Sequence, residues 1–152
     1  MILSPDHFLI DADGIYDWSP AGVASAWAAT IRRTQELLSD PRYISLVLLV
    51  GVSGSGKSTW LRSHMERNKV YIDATFTTKA GRAPFIEIAR GADRVIDVVF
   101  LDTPFEECAR RNALRSDDRR VPDAKMFRFR DQLRNEPPTL AEGFRQVVVV
   151  TP

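Results

Sequence analysis

Gly51-Val52-Ser53-Gly54-Ser55-Gly56-Lys57-Ser58 carries the spacing G-x-x-x-x-G-K-S. That spacing suits the cradling of a polyphosphate. Glycines let successive backbone N–H groups curl toward one anion, and a helix starting at the end of the loop adds partial positive charge. Gly51, Ser53, Gly54, Ser55 and Gly56 form the expected cradle, with Thr59 just beyond it. Lys57 is expected to reach the β- and γ-phosphates, and Ser58 to ligate Mg²⁺. The implied cofactors are ATP, or another nucleoside triphosphate, and Mg²⁺. Two carboxylates join these residues. Asp73 closes the apolar run of Lys69–Thr75 and is placed to hold Mg²⁺ through water or to orient Ser58. Asp6 follows the short apolar strand Met1–Ser4. In open α/β sheets ligands bind outside the carboxyl ends of strands, so Asp6 is placed for chemistry. Asp11 and Asp13, in Asp11-Ala12-Asp13-Gly14, read as solvated turn residues.

These groups need elements to position them. Tyr43–Val50 enters the loop as a buried parallel strand and Thr59–Asn68 leaves it as a polar helix. Ser19-Pro20 is an N-cap followed by proline at the first helical position. The helix it starts runs to about Ser39, with Val23, Trp27 and Ile31, beside Ala24 and Ala28, as its apolar face. Thr77–Gly81 reads as a polar turn, with Arg82 in it, and Pro84–Arg90 as a short helix closed by Gly91. Val95–Asp102 is a third buried strand. Thr103-Pro104-Phe105-Glu106 reads as a capping box, and the next helix turns Phe105, Cys108 and Ala109 inward. Ser116–Arg120 is a polar break, Pro122 opens a helix with Met126, Phe129 and Leu133 on one side, and Gln146–Val150 is a last strand. Strand and helix alternate throughout. The expected fold is an α/β three-layer sandwich of about five parallel strands with helices on both faces, in a single domain spanning 1–152. Its arginine-rich helical segment, about 110–136, reads as a lid whose arginines stabilise a phosphoryl group in transfer.

The chain's 152 residues suffice for one core, and 44% hydrophobic with 27% charged residues fits a folded, water-facing domain. The net charge of +1 hides an asymmetry: residues 1–50 hold three basic and six acidic side chains, whereas 110–134 hold nine basic and four acidic ones. A basic end suits a polyanionic partner. The lone Cys108 excludes an internal disulfide and suits a reducing cytoplasm. No apolar run is long enough for a membrane span, and no membrane partner is expected.

With these residues in place, the chain resembles the P-loop kinases that phosphorylate 5′-hydroxyl ends, the phage-type polynucleotide kinases. Gly51–Trp60 is similar to the family's phosphate loop, and Ile72-Asp73-Ala74-Thr75 followed by Arg82 to its second acidic strand end. Phe105–Arg115 is similar to the helix into its lid, with Arg111, Asn112 and Arg115 in an R-N-x-x-R pattern. Val121-Pro122 and Glu142-Gly143-Phe144 match later landmarks. The resemblance implies that Arg115 is the lid arginine on the donor phosphates; Arg111 is expected to bind the nucleotide with it, and Arg82, Arg119 and Arg120 are expected to hold the acceptor. The family's general base is an aspartate shortly after the phosphate-loop helix, and that place is missing here. Leu3-Ser4-Pro5-Asp6-His7-Phe8, with Tyr16 and Trp18, resembles the missing segment transposed to the front, which implies Asp6 as base. Some members carry an arginine three residues after the base; here that position is Leu9. The resemblance implies 5′-hydroxyl ends of RNA or DNA as substrate. A stand-alone kinase is expected, with a second copy of the chain or separate end-processing and ligase proteins as partners. Two other functions fit the same residues: a kinase for a small hydroxylated metabolite, antibiotic or nucleotide sugar, and a nucleotide-gated binding module without turnover.

Overall fold

The structure, a computed structural model, describes residues 1–10 and 13–152; Asp11 lies outside them. Five strands form one parallel sheet: β1 (Ile2–Leu3), β2 (Ser45–Val50), β3 (Lys69–Asp73), β4 (Val95–Leu101) and β5 (Gln146–Val150), in the spatial order β1-β3-β2-β4-β5. Among the described residues five helices connect them: α1 (Pro20–Leu38), α2 (Lys57–His64), α3 (Lys79–Gly91), α4 (Phe105–Ala113) and α5 (Asp123–Asn135), with short 3₁₀ turns at Pro5–Phe8 and Leu140–Glu142.

The strand β2 is buried at every position, as a central strand covered on both faces must be. Its side chains alternate between two cores. Leu46, Leu48 and Val50 point into the larger one, shared with Leu38 of α1, Phe85 of α3, Cys108 of α4 and Met126 of α5. Val47 and Leu49 join Tyr71, Val99 and Leu101 in the smaller one, under Leu61 and Trp60 of α2. Helices therefore cover both faces of the sheet, and the expected α/β sandwich is the observed fold.

Three local expectations need correction. The fully buried line of α1 is Ala26, Thr30, Thr34, Leu37 and Leu38, whereas Ala24 and Ala28 are exposed and Val23 half-buried; Trp27 and Ile31, also half-buried, pack against the larger core as expected. The threonines can be buried because each hydroxyl donates to its own helix, Thr30 to Ala26 O at 2.8 Å and Thr34 to Thr30 O at 2.7 Å. Helix α3 begins at Lys79, capped by Thr78, so Pro84 lies inside it and Arg82 belongs to a helix instead of a turn. The capping box at Thr103 does not form: Pro104 holds the cap position, and the Thr103 hydroxyl donates to Ser55 O at 2.7 Å. That bond ties the end of β4 to the underside of the Gly51–Ser58 loop.

Candidate active site

The loop between β2 and α2 needs a backbone that ordinary residues avoid. Gly51, Gly54 and Gly56 have φ of +154°, +86° and +96°. A side chain on Gly54 would meet the Cys108 carbonyl oxygen at 2.6 Å, and one on Gly51 would meet Leu101 O at 2.9 Å, so the loop is seated directly on α4 and the end of β4. Ser53, Gly54 and Gly56 line the cleft above it, while Ser55 is buried beneath. At the start of α2, Lys57 is 8% exposed and its Nζ donates to Gly51 O at 2.8 Å and Val52 O at 3.1 Å. Burial pulls its pKa down to about 8, opposed by the nearby charges of Asp73 and Asp6 and assisted by Arg115. An incoming phosphate would give this ammonium a better partner than the two carbonyls.

One residue on, the Ser58 hydroxyl donates to Asp73 Oδ2 at 2.6 Å. Asp73 ends β3, hydrogen-bonded beside β2, so the expected link between loop helix and acidic strand end is present. A hydroxyl and a carboxylate fit Mg²⁺, which takes one or two protein oxygens and completes its shell with water and substrate phosphates. Among the described residues no cluster of three His, Cys, Asp or Glu side chains forms.

The acid from the other end of the chain arrives at the same place. Strand β1 pairs with β3, Leu3 opposite Ile72, which carries the Pro5–Phe8 turn to the end of the sheet where Asp73 lies. Ser4 caps that turn, accepting from Asp6 N at 3.3 Å. Asp6 and His7 line a cleft of about 1360 Å³ together with Lys57, Ser58, Asp73, Arg111, Arg115 and Arg119. Desolvation raises the pKa of Asp6, with the Asp73 charge acting in the same sense and His7, Arg115 and Arg119 against it. Leu9, only 4% exposed, also borders the cleft and offers it an apolar side chain.

The arginine-rich segment divides into anchored and exposed parts. Asn112 bridges across the break, its Nδ2 donating to Val121 O at 2.7 Å and its Oδ1 accepting from Val121 N at 3.0 Å. Met126 and Leu133 sink α5 into the core, and Thr77 donates to Gln132 Oε1 at 2.6 Å. Residues 113–120 form an unbroken exposed run between these anchors. Arg111 donates to Gly54 O at 3.2 Å and pairs with Glu107, which places it directly against the loop. Arg115 and Arg119 line the cleft, and so do Lys125 and Phe129; Phe129 also packs against the larger core, as its place beside Met126 and Leu133 led one to expect. Arg120 is exposed outside the lining.

Arg82 is a clear correction. It is 0% exposed, and its guanidinium donates to Glu142 at 2.8 and 2.9 Å, to Phe76 O at 2.8 Å and to Glu136 O at 2.9 Å. A guanidinium with its donors spent on buried partners cannot grip an acceptor; it ties α3 to the Leu140–Glu142 turn and to the end of α5. The landmark Glu142-Gly143-Phe144 has the same structural meaning, since Glu142 also closes a capping box with Thr139 and Phe144 is buried. Cys108 is a buried thiol whose pKa burial pushes up, so it is packing beneath the loop and not a nucleophile.

A parallel sheet with a glycine loop, lysine and serine at the end of its central strand defines a phosphate-loop nucleotide-binding domain of the kinase-like type. The comparison with known families agrees: the chain matches the AAA domain family over residues 46–72 and 67–138 and belongs to that family. The matched region holds the loop, Asp73 and the arginine segment. It does not include Asp6, whose place rests on geometry alone.

Proposed function

We propose that this protein transfers the γ-phosphate of ATP to the 5′-hydroxyl end of a polynucleotide. The observation that carries the reading is a carboxylate, Asp6, brought from 45 residues before Gly51 into one cleft with Lys57 and Arg115. A module that only bound nucleotide would have no use for a desolvated carboxylate there. Asp6 accepts the proton of the acceptor hydroxyl as that oxygen attacks the γ-phosphorus. The bond from the γ-phosphorus to the bridging oxygen breaks, and ADP leaves with the electron pair. Lys57 and Arg115 neutralise charge on the donor, with Arg111 fixing the loop. Mg²⁺, when held at Ser58 and Asp73, supplies further neutralisation of the phosphates. The nine basic residues in 110–134 and the open cleft favour a polyanionic acceptor over a small enclosed one.

The test is transfer of labelled γ-phosphate to a panel of 5′-hydroxyl oligonucleotides, sugars and nucleosides. Preferential labelling of the oligonucleotides is expected. Efficient labelling of a sugar or nucleoside, with none on oligonucleotides, would transfer the reading to a small-molecule kinase.

A further inference from the structure

Between the Asp6 turn and α1 the chain folds back on itself. Asp17 N donates to Leu9 O at 2.8 Å, and Ile10 pairs with Tyr16 in an antiparallel bridge. The return brings Tyr16 and Trp18 to the wall of the cleft that holds Asp6 and Lys57. Their rings are stacked, with centroids 5.6 Å apart and planes 13° from parallel. Yet Trp18 remains 49% exposed. An indole left half in water on a cleft wall forgoes burial that the nearby core could have supplied. Tyr16 covers one part of the ring system and leaves the rest to the cleft. From the break between α4 and α5, Arg119 donates to the Tyr16 hydroxyl at 3.4 Å, so a cation stands at the edge of the stack.

We infer that Tyr16 and Trp18 form a stacking platform for the terminal nucleobase of the acceptor strand, with Arg119 beside it for the phosphodiester that follows; the inference rests on the polynucleotide reading above. A flat aromatic face takes any base, because every base has a π-face, and a neighbouring cation takes the backbone charge. The occupant is fixed by this pairing of aromatic face and cation, next to a carboxylate and a lysine suited to phosphoryl transfer. Leu9 explains the need for it: the position three residues after Asp6 holds an apolar side chain, so no arginine stands there for the acceptor. The platform positions the acceptor and does not touch the reacting atoms. If instead the pair served only to pin the chain reversal, it would treat all acceptors alike.

Steady-state transfer by the full chain, with saturating ATP and Mg²⁺, separates these roles. Two 5′-hydroxyl oligonucleotides are compared, identical except that one has an abasic terminal nucleotide. For the wild type, KM rises roughly 10-fold on the abasic acceptor, the order expected for one base–aromatic stack, with kcat within about 2-fold. Trp18→Ala shows the same loss on the intact acceptor and no further loss on the abasic one, and Trp18→Phe restores most of it. Equal KM values for the two acceptors in the wild type, or equal further losses on both in Trp18→Ala, would overturn the platform and leave the kinase reading standing. No transfer to either oligonucleotide would remove both. Should Trp18→Ala not fold, the wild-type pair of acceptors and Trp18→Phe still decide.

Discussion

The Ser58 hydroxyl hydrogen-bonds Asp73 Oδ2 at 2.6 Å, joining the first turn of the loop helix to the end of the neighbouring strand. The bond fixes which way the hydroxyl lone pairs face, so the serine is oriented before any cation arrives. Asp73→Asn keeps the shape and removes the charge. Its expected effect is a rise of roughly 10-fold or more in the Mg²⁺ concentration needed for half-maximal nucleotide binding. Calorimetric titration of nucleotide at graded Mg²⁺ measures this, and an unchanged Mg²⁺ dependence would place the cation elsewhere.

Lys57 gives a pH signature with a definite sign. Its folded pKa is about 8 against 10.5 for the free side chain. The unfolded chain therefore holds the proton more tightly, and the cost of burying the charge is fully present below pH 8 and relieved between about 8 and 10.5. Urea unfolding of the nucleotide-free wild type and of Lys57→Met should show the difference moving in favour of the wild type across that window. Nucleotide affinity of the wild type should fall as pH rises through the same range, and Lys57→Met should abolish transfer. A pH-independent stability difference would refute the buried, charged lysine.

For Asp6 the expected pH effect is the reverse limb. A general base works only when ionised, and burial raises the Asp6 pKa above its ordinary 3.8. Transfer should increase with pH through that raised value, and kcat/KM profiles in acid should show it. Asp6→Asn should retain nucleotide binding and lose roughly 10²-fold or more in transfer. Transfer within a few-fold of wild type would leave the base role without an occupant in this turn.

Arg82→Met is expected to strand the Glu142 carboxylate, which is buried at 8% exposure, and to cost about 3–5 kcal/mol of stability. Arg82→Met combined with Glu142→Met should recover much of that loss, because no lone charge remains. Protein that stays folded should keep its acceptor KM. A selective rise in acceptor KM with unchanged stability would return Arg82 to the acceptor site.

Arg115→Ala should lower transfer, and oligonucleotide affinity should fall with added salt as phosphate contacts are screened and counterions retained. Salt-independent acceptor binding would argue for a neutral acceptor.

The donor site was legible from sequence because its conformation is local. Eight consecutive residues, Gly51–Ser58, encode both the positive-φ turns and the lysine they aim, and the apolar run before them admits only a covered strand. The alternation of strands and helices was equally plain, so the α/β class followed. The site's remaining parts depend on partners far along the chain. An arginine reads the same whether it meets solvent or a buried glutamate, and the partner of Arg82 lies 60 residues away. The hydroxyl of Thr103 could cap its own helix or hold Ser55, 48 residues back, and only packing of β4 against the loop chose the second. Thr30 and Thr34 of α1 carry polar side chains, yet each satisfies its hydroxyl within the helix and is fully buried. Residues 11–12, part of the expected acidic turn, lie outside the described structure. The placement of Asp6 was an inference from pattern until β1 was seen paired with β3. Strand order is set by which apolar faces and backbone edges fit together across the sheet, and no local spacing records that choice.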